Sequence, residues 1–203
     1  MDKSMSPDTP PALGVANCRD MYERVKRLGA QMEGVWDEDS ASTFVMHAWH
    51  LCNDWIKRDK QHRPRLATQK CDIRKLPAEM ALVVNVLRDL TNGTKHCVLD
   101  ASGEATRVVT NSHTGEIRGY YAWFFRERIP GVTARGGYYF SVRKLRNITL
   151  RYLEWVFDDS LTVDAFPGEL HGIIWHCYPG NRVPGATPPV GAILPSGDAK
   201  FVA

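Results

Sequence analysis

Long apolar runs are missing from this 203-residue chain: no window approaches the roughly 18 consecutive apolar residues that a membrane span requires, so no transmembrane helix is expected. The opening residues, MDKSMSPDTPPALG, lack the continuous apolar core of a secretory signal, and residues 1–16 read as a flexible arm of a cytoplasmic protein. Cysteine is sparse and odd in number: Cys18, Cys52, Cys71, Cys97 and Cys177 include no CxxC pair. That removes a zinc ribbon or a thioredoxin-like redox motif and implies free thiols. GxSxG, HExxH, Walker and Rossmann patterns are absent too, so the serine hydrolase, zincin, ATPase and dehydrogenase classes have no support and no cofactor is expected.

What is present is an ordinary globular composition, 43% hydrophobic and 24% charged, in a chain long enough to bury a core without staples. The net charge of +3 conceals two concentrated blocks. Lys57, Arg58, Lys60, Arg63, Arg65, Lys70, Arg74 and Lys75 face only Asp59 and Asp72; Arg118, Arg126, Arg128, Arg135, Arg143, Lys144, Arg146 and Arg151 face only Glu127. Clustered cations of this kind give a molecule a basic side, which suits RNA or another polyanion because phosphate contacts release counterions. A solvated surface is the plainer reading of either block.

Periodicity predicts an α+β protein. Met21, Val25, Leu28 and Met32 mark a helix over residues 17–35. Phe44, Ala48, Leu51 and Trp55 mark a second over 40–58, with Ser40 or Ser42 as N-cap. Residues 59–76 read as a long connection, and Pro77 opens a third helix running to His96 or Leu99. Strands are expected at 107–110 and 117–125, joined by a turn at Asn111–Gly115, with 128–137 a loop before a strand at 138–144. A helix over 147–158 and a strand over 170–178 follow. The expected architecture is one domain, 17–178: an N-terminal helical bundle (17–99), then a small antiparallel sheet with a packed helix (104–178). An irregular Pro/Gly-rich tail occupies 179–203.

Two helical segments carry the candidate chemistry. His47, His50, Asp54 and Arg58 stand at helical spacing, a stripe in which a carboxylate one turn from an imidazole can fix its tautomer; a structural polar network of His47, His50 and Asp54 is expected. Arg88, Asn92 and His96 repeat every four residues, with Lys95 beside His96. His96 can move a proton, Arg88 or Lys95 can offset developing phosphate charge, and Asn92 can orient the group. At 100° per residue Asn92 and His96 point away from their own apolar stripe, toward solvent, a partner protomer or a nucleic acid. Lys57, Arg58, Arg63, Arg65, Arg126 and Arg128 are the candidate nucleic-acid contacts. His50 and Asp54 with Cys52 or His96, and separately His171, His176 and Cys177, are conceivable ligand sets, but neither shows a complete site and no metal is expected. The aromatics Tyr120, Tyr121, Trp123, Phe124, Tyr138, Tyr139 and Phe140 form either a core or a stacking platform.

The segments Ala48-Trp49-His50-Leu51-Cys52-Asn53-Asp54-Trp55-Ile56 and Asn92-Gly93-Thr94-Lys95-His96 resemble a group of bacterial and phage-borne proteins. The second is also similar to the core element of the HEPN (higher eukaryotes and prokaryotes nucleotide-binding) superfamily. That resemblance spans residues 17–99. It implies a helical domain that pairs as a homo-oligomer to build a metal-independent ribonuclease site, with Asn92 and His96 in the polar and histidine positions. The family's arginine position holds Thr91, so Arg88 or Lys95 would have to supply the cation. The function expected is an HEPN-like RNA-binding or RNA-cleaving protein of a bacterial or phage toxin or defence system. The alternative is a non-enzymatic interaction module that binds a protein partner or nucleic acid through its basic side and C-terminal tail.

Overall fold

Helix α1 (Cys18–Gln31) starts where Asn17 turns its side chain onto the amides of Arg19 and Asp20, at 2.9 and 3.0 Å, satisfying two of the donors a helix start leaves open. The Cys18 amide goes instead to the Asp59 carboxylate, 2.9 Å away. The computed structural model describes residues 14–95, 107–116 and 128–178, and the expected arm and tail lie outside them, apart from the first described residues 14–16. α1 buries Cys18, Met21, Val25 and Gly29. A methyl group at Gly29 would sit 3.0 Å from Leu150, so the absence of a side chain there lets α1 approach the helix that carries Leu150.

Helix α2 (Glu38–His50) is capped by Asp37, not by Ser40 or Ser42: Asp37 accepts from the Ser40 amide at 2.8 Å and the Ser40 hydroxyl at 2.7 Å. It runs into a π-turn (Leu51–Trp55) and a last turn, α3 (Ile56–Arg58). The wider π-turn inserts one residue into the helical count, so the core stripe steps from Phe44, Ala48 and Leu51 onto Cys52 and Ile56. Trp55, expected in that stripe, is left only half-buried.

Residues 59–76 are structured rather than a loose connection. Asp59 holds the Cys18 and His62 amides, Arg63 donates to the Ile56 and Lys57 carbonyls, and α4 (Ala67–Lys70) packs inward through Ala67 and Lys70. Burial works against the Asp59 charge, but the Cys18 amide and the His62 amide and ring outweigh it and hold the carboxyl at about 2. A carboxylate depressed in the folded state contributes stability above its unfolded value near 4 that fades as pH falls through about 2. Asp59→Asn is therefore expected to cost about 1–2 kcal/mol at pH 7 and progressively less below pH 4, read as the difference between paired urea titrations at several pH values.

Helix α5 (Ala78–Lys95) follows Pro77 as expected and buries Met80, Val83, Val84, Val86 and Leu87 against α2. The sheet has the order β1–β2–β3, all antiparallel: β1 (Val109–Glu116), β2 (Arg128–Ala134) and β3 (Tyr138–Ser141). Residues 111–115, expected to turn, are therefore strand; β1 lies at one end of the strand order, with Asn111 and Ser112 exposed. The 128–134 segment, expected as loop, is the central strand. Pro130 fits there because it pairs with Thr114 at a level that the β2–β3 register, beginning at Gly131, does not reach. At Gly131 any side chain would collide with the Tyr139 ring. The strand expected at 117–125 lies outside the described residues.

Helix α6 (Val142–Phe157) begins ahead of the expected start, because Ser141 accepts from the Lys144 amide and caps it. It buries Leu145, Ile148, Tyr152, Leu153 and Val156 at the centre of the core. α7 (Gly168–Trp175) is a helix where a strand was expected. Its buried residues Leu170, Gly172 and Ile174 alternate like those of a strand because α7 packs against both α5 and α6. The protein is thus α+β, and among the described residues no helix is long and apolar enough to cross a membrane.

Candidate functional site

Trp49, Asn53 and Lys57, at steps of four residues, form one wall of an open cleft of about 400 Å3. α5 lines it through Val84, Asn85 and Arg88, and the Cys71–Arg74 segment lines it as well. The π-turn contributes Cys52 to the same surface. Two sequence regions that carried separate candidates, the basic block and the α5 helix, thus meet in one place.

The cations here are already partnered. The Lys57 ammonium donates to the Asn53 side-chain oxygen at 2.8 Å. Arg74 meets Asp72 through two bonds of 3.0 Å, which hold the Asp72 carboxyl below its usual value. Arg88 donates through Nε and a terminal nitrogen to Asp89, at 3.0 and 2.8 Å. Asp89 is buried, and its second oxygen accepts from the Val108 and Val109 amides, so this pair also fastens α5 to the start of β1. Lys57 and Arg74 are exposed; Arg88 is only 26% so.

Of the α5 candidates, Arg88 lines the cleft and Asn92 stands one turn further on, half-buried on the same helical face. Lys95 ends the helix, and His96 lies outside the described residues. On α2 the His47 imidazole donates from Nδ1 to the Thr43 carbonyl at 2.7 Å, and His50 Nδ1 bonds the Asp54 carboxylate at 2.7 Å. Arg58 reaches Asp54 from 3.8 Å, and the His50–Asp54–Arg58 set stands next to the cleft-lining row rather than within it, while His47 is bonded to its own helix backbone. Arg58 is exposed, Arg63 is spent on two backbone carbonyls, and Arg65 is exposed. Arg126 lies outside the described residues and Arg128 begins β2.

Lys70, part of the basic block in the sequence, is no surface cation: it is 1% exposed and donates to the Trp155 and Asp158 carbonyls. The residues that sequence reasoning passed over are Trp49, Asn53 and the Cys52/Cys71 pair. The i, i+4 spacing of Trp49, Asn53 and Lys57 was a readable signal, whereas the approach of Cys71 is purely tertiary. No group of three or more His, Cys, Asp or Glu side chains is placed to hold a metal among the described residues. His171 turns toward Glu79 at 3.9 Å, His176 is exposed and Cys177 is buried, so that trio is not convergent. The arrangement can grip a phosphate with Lys57 and Arg74, offer amides from Asn53 and Asn85, and present an indole to a flat ring. No family model, curated protein or solved structure matches this chain.

Proposed function

We propose that this chain is an HEPN-like RNA-binding protein whose cleft between α2 and α5 takes a stretch of single-stranded RNA, and that Asn92 and His96 cleave the bound strand without a metal. The observation that supports the reading is the convergence of Lys57 and Arg74 with Trp49, Asn85 and Arg88 on one open cleft. Exposed cations attract the backbone, an aromatic face accepts an unstacked base, and side-chain amides reach base edges. In this reading the protein acts as a homo-oligomer in a bacterial or phage toxin or defence system, with Asn92 and His96 facing a second protomer.

One observation favours binding without cleavage. The Arg88 guanidinium is already bonded to Asp89, which leaves it less to offer a developing phosphate charge. The non-enzymatic interaction module, engaging nucleic acid or a protein partner through the same basic side, is therefore the second reading.

The test is incubation of the protein with labelled total RNA and tRNA, with and without EDTA, beside His96→Ala and a Lys57→Glu/Arg74→Glu variant. Cleavage that survives EDTA and is lost in His96→Ala is the expected result. Charge reversal is expected to weaken RNA binding at least about tenfold and to flatten its salt dependence. Intact RNA with salt-dependent binding moves the assignment to the interaction module, and intact RNA without binding overturns the RNA reading.

A further inference from the structure

The cleft wall contains a feature that RNA binding does not use. Cys52, in the π-turn, and Cys71, at the C-terminal end of α4, come from separate segments and line the same surface. Both are free thiols, and Cys71, together with burial, holds the Cys52 thiol well above its usual value. The other described cysteines differ. Cys18 lies against Asp59 and is pushed up to about 12, first by burial and then by that carboxylate. Cys177 donates to the Ile173 carbonyl and is pushed up to about 11 by burial.

We propose that Cys52 and Cys71 are a modification site, a thiol pair that closes to an intramolecular disulfide by exchange with a low-molecular-weight disulfide of the glutathione type. Access sets the order of events: Cys52 is 5% exposed, whereas Cys71 is half-buried and faces the cleft. The more accessible Cys71 is therefore the attacking sulfur, while Cys71 nearby and burial keep the proton on Cys52. The Cys71 thiolate attacks one sulfur of the oxidised glutathione, the S–S bond breaks and one glutathione thiolate departs. In the mixed disulfide Cys71 no longer acts on Cys52 as a thiol, and the Lys57 charge favours the Cys52 thiolate. Cys52 releases its proton to solvent and attacks Cys71 Sγ, displacing the second glutathione. Two protein thiols are oxidised by two electrons, and one glutathione disulfide is reduced to two thiols. Exposed Lys57 and Arg74 at the cleft mouth suit the carboxylates of such a reagent.

The full chain, reduced and freed of reductant, is incubated with oxidised glutathione, blocked with N-ethylmaleimide and examined by intact and peptide mass spectrometry. Apart from maleimide on the remaining thiols, the expected product has lost the mass of two hydrogen atoms, yields a linked peptide pair containing Cys52 and Cys71, and reverts with dithiothreitol. Cys52→Ser is expected to stop with one glutathione on Cys71. Cys52→Ala, which suits the buried site better, is expected to stop at the same adduct. Wild-type protein with both cysteines alkylated, or with a lasting glutathione adduct on Cys71, overturns the proposal, whatever the RNA assays show.

Discussion

Lys70→Ala is expected to lower the unfolding free energy by about 3–5 kcal/mol, because it removes a buried cation and both of the charge-assisted bonds it gives to backbone carbonyls. Lys70 is 1% exposed, and its ammonium donates to the Trp155 carbonyl at 2.8 Å and the Asp158 carbonyl at 2.7 Å. These groups close the C-terminal end of α6, where the helix dipole favours a positive charge. The ammonium also lies 5.1 Å from the centre of the Trp155 ring, and the Lys70 carbonyl accepts from the Tyr152 hydroxyl at 3.0 Å. Burial draws the lysine below its usual value, while Asp158 and Asp159 act in the opposite sense. Lys70→Met keeps much of the stem packing and is expected to cost less, about 2–3 kcal/mol, the worth of the charge-assisted bonds. Urea denaturation of the three proteins at neutral pH reads both differences. A Lys70→Ala variant within about 0.5 kcal/mol of the parent would show water replacing the ammonium.

The second large effect is expected at Asp89. Its carboxylate takes two bonds from Arg88 on one oxygen and the Val108 and Val109 amides on the other. Asp89→Ala strands two backbone donors, one of them in the buried Val109, and the Arg88 guanidinium together; the expected loss is about 3 kcal/mol or more. Arg88→Met removes the other half of the pair, yet Asp89 keeps its two amides, so about 1–2 kcal/mol is expected. Hydrogen exchange at Val108 and Val109 separates the cases: protection is expected to fall in Asp89→Ala and to persist in Arg88→Met. Equal losses would mean that the ion pair, and not the anchoring of β1, is what Asp89 contributes.

The same residue limits what the sequence could say about the site. Arg88 and Asn92 were legible as one polar face of α5, since helical spacing is local. That Arg88 is engaged by Asp89, its own neighbour in sequence, follows from Asp89 being buried at the β1 junction. The basic block read as a surface patch, yet it divides: Lys57 and Arg74 reach the cleft, Arg63 caps backbone carbonyls and Lys70 enters the core. Charge counts along a chain do not record which cation finds a helix end to close.

By itself the sequence determined the α+β class, the starts of α1 and α5, and most of the apolar stripes. Those depend on caps and on contacts one turn apart, which neighbouring residues settle between themselves. Tertiary structure decided the rest. The π-turn moved the stripe from Trp55 to Ile56, and turn-forming residues at 111–115 became strand once 128–134 paired with them. α7 acquired strand-like alternation by packing against two helices at once. In each case the deciding partner lies far away along the chain, so burial and backbone pairing overrode the local preference.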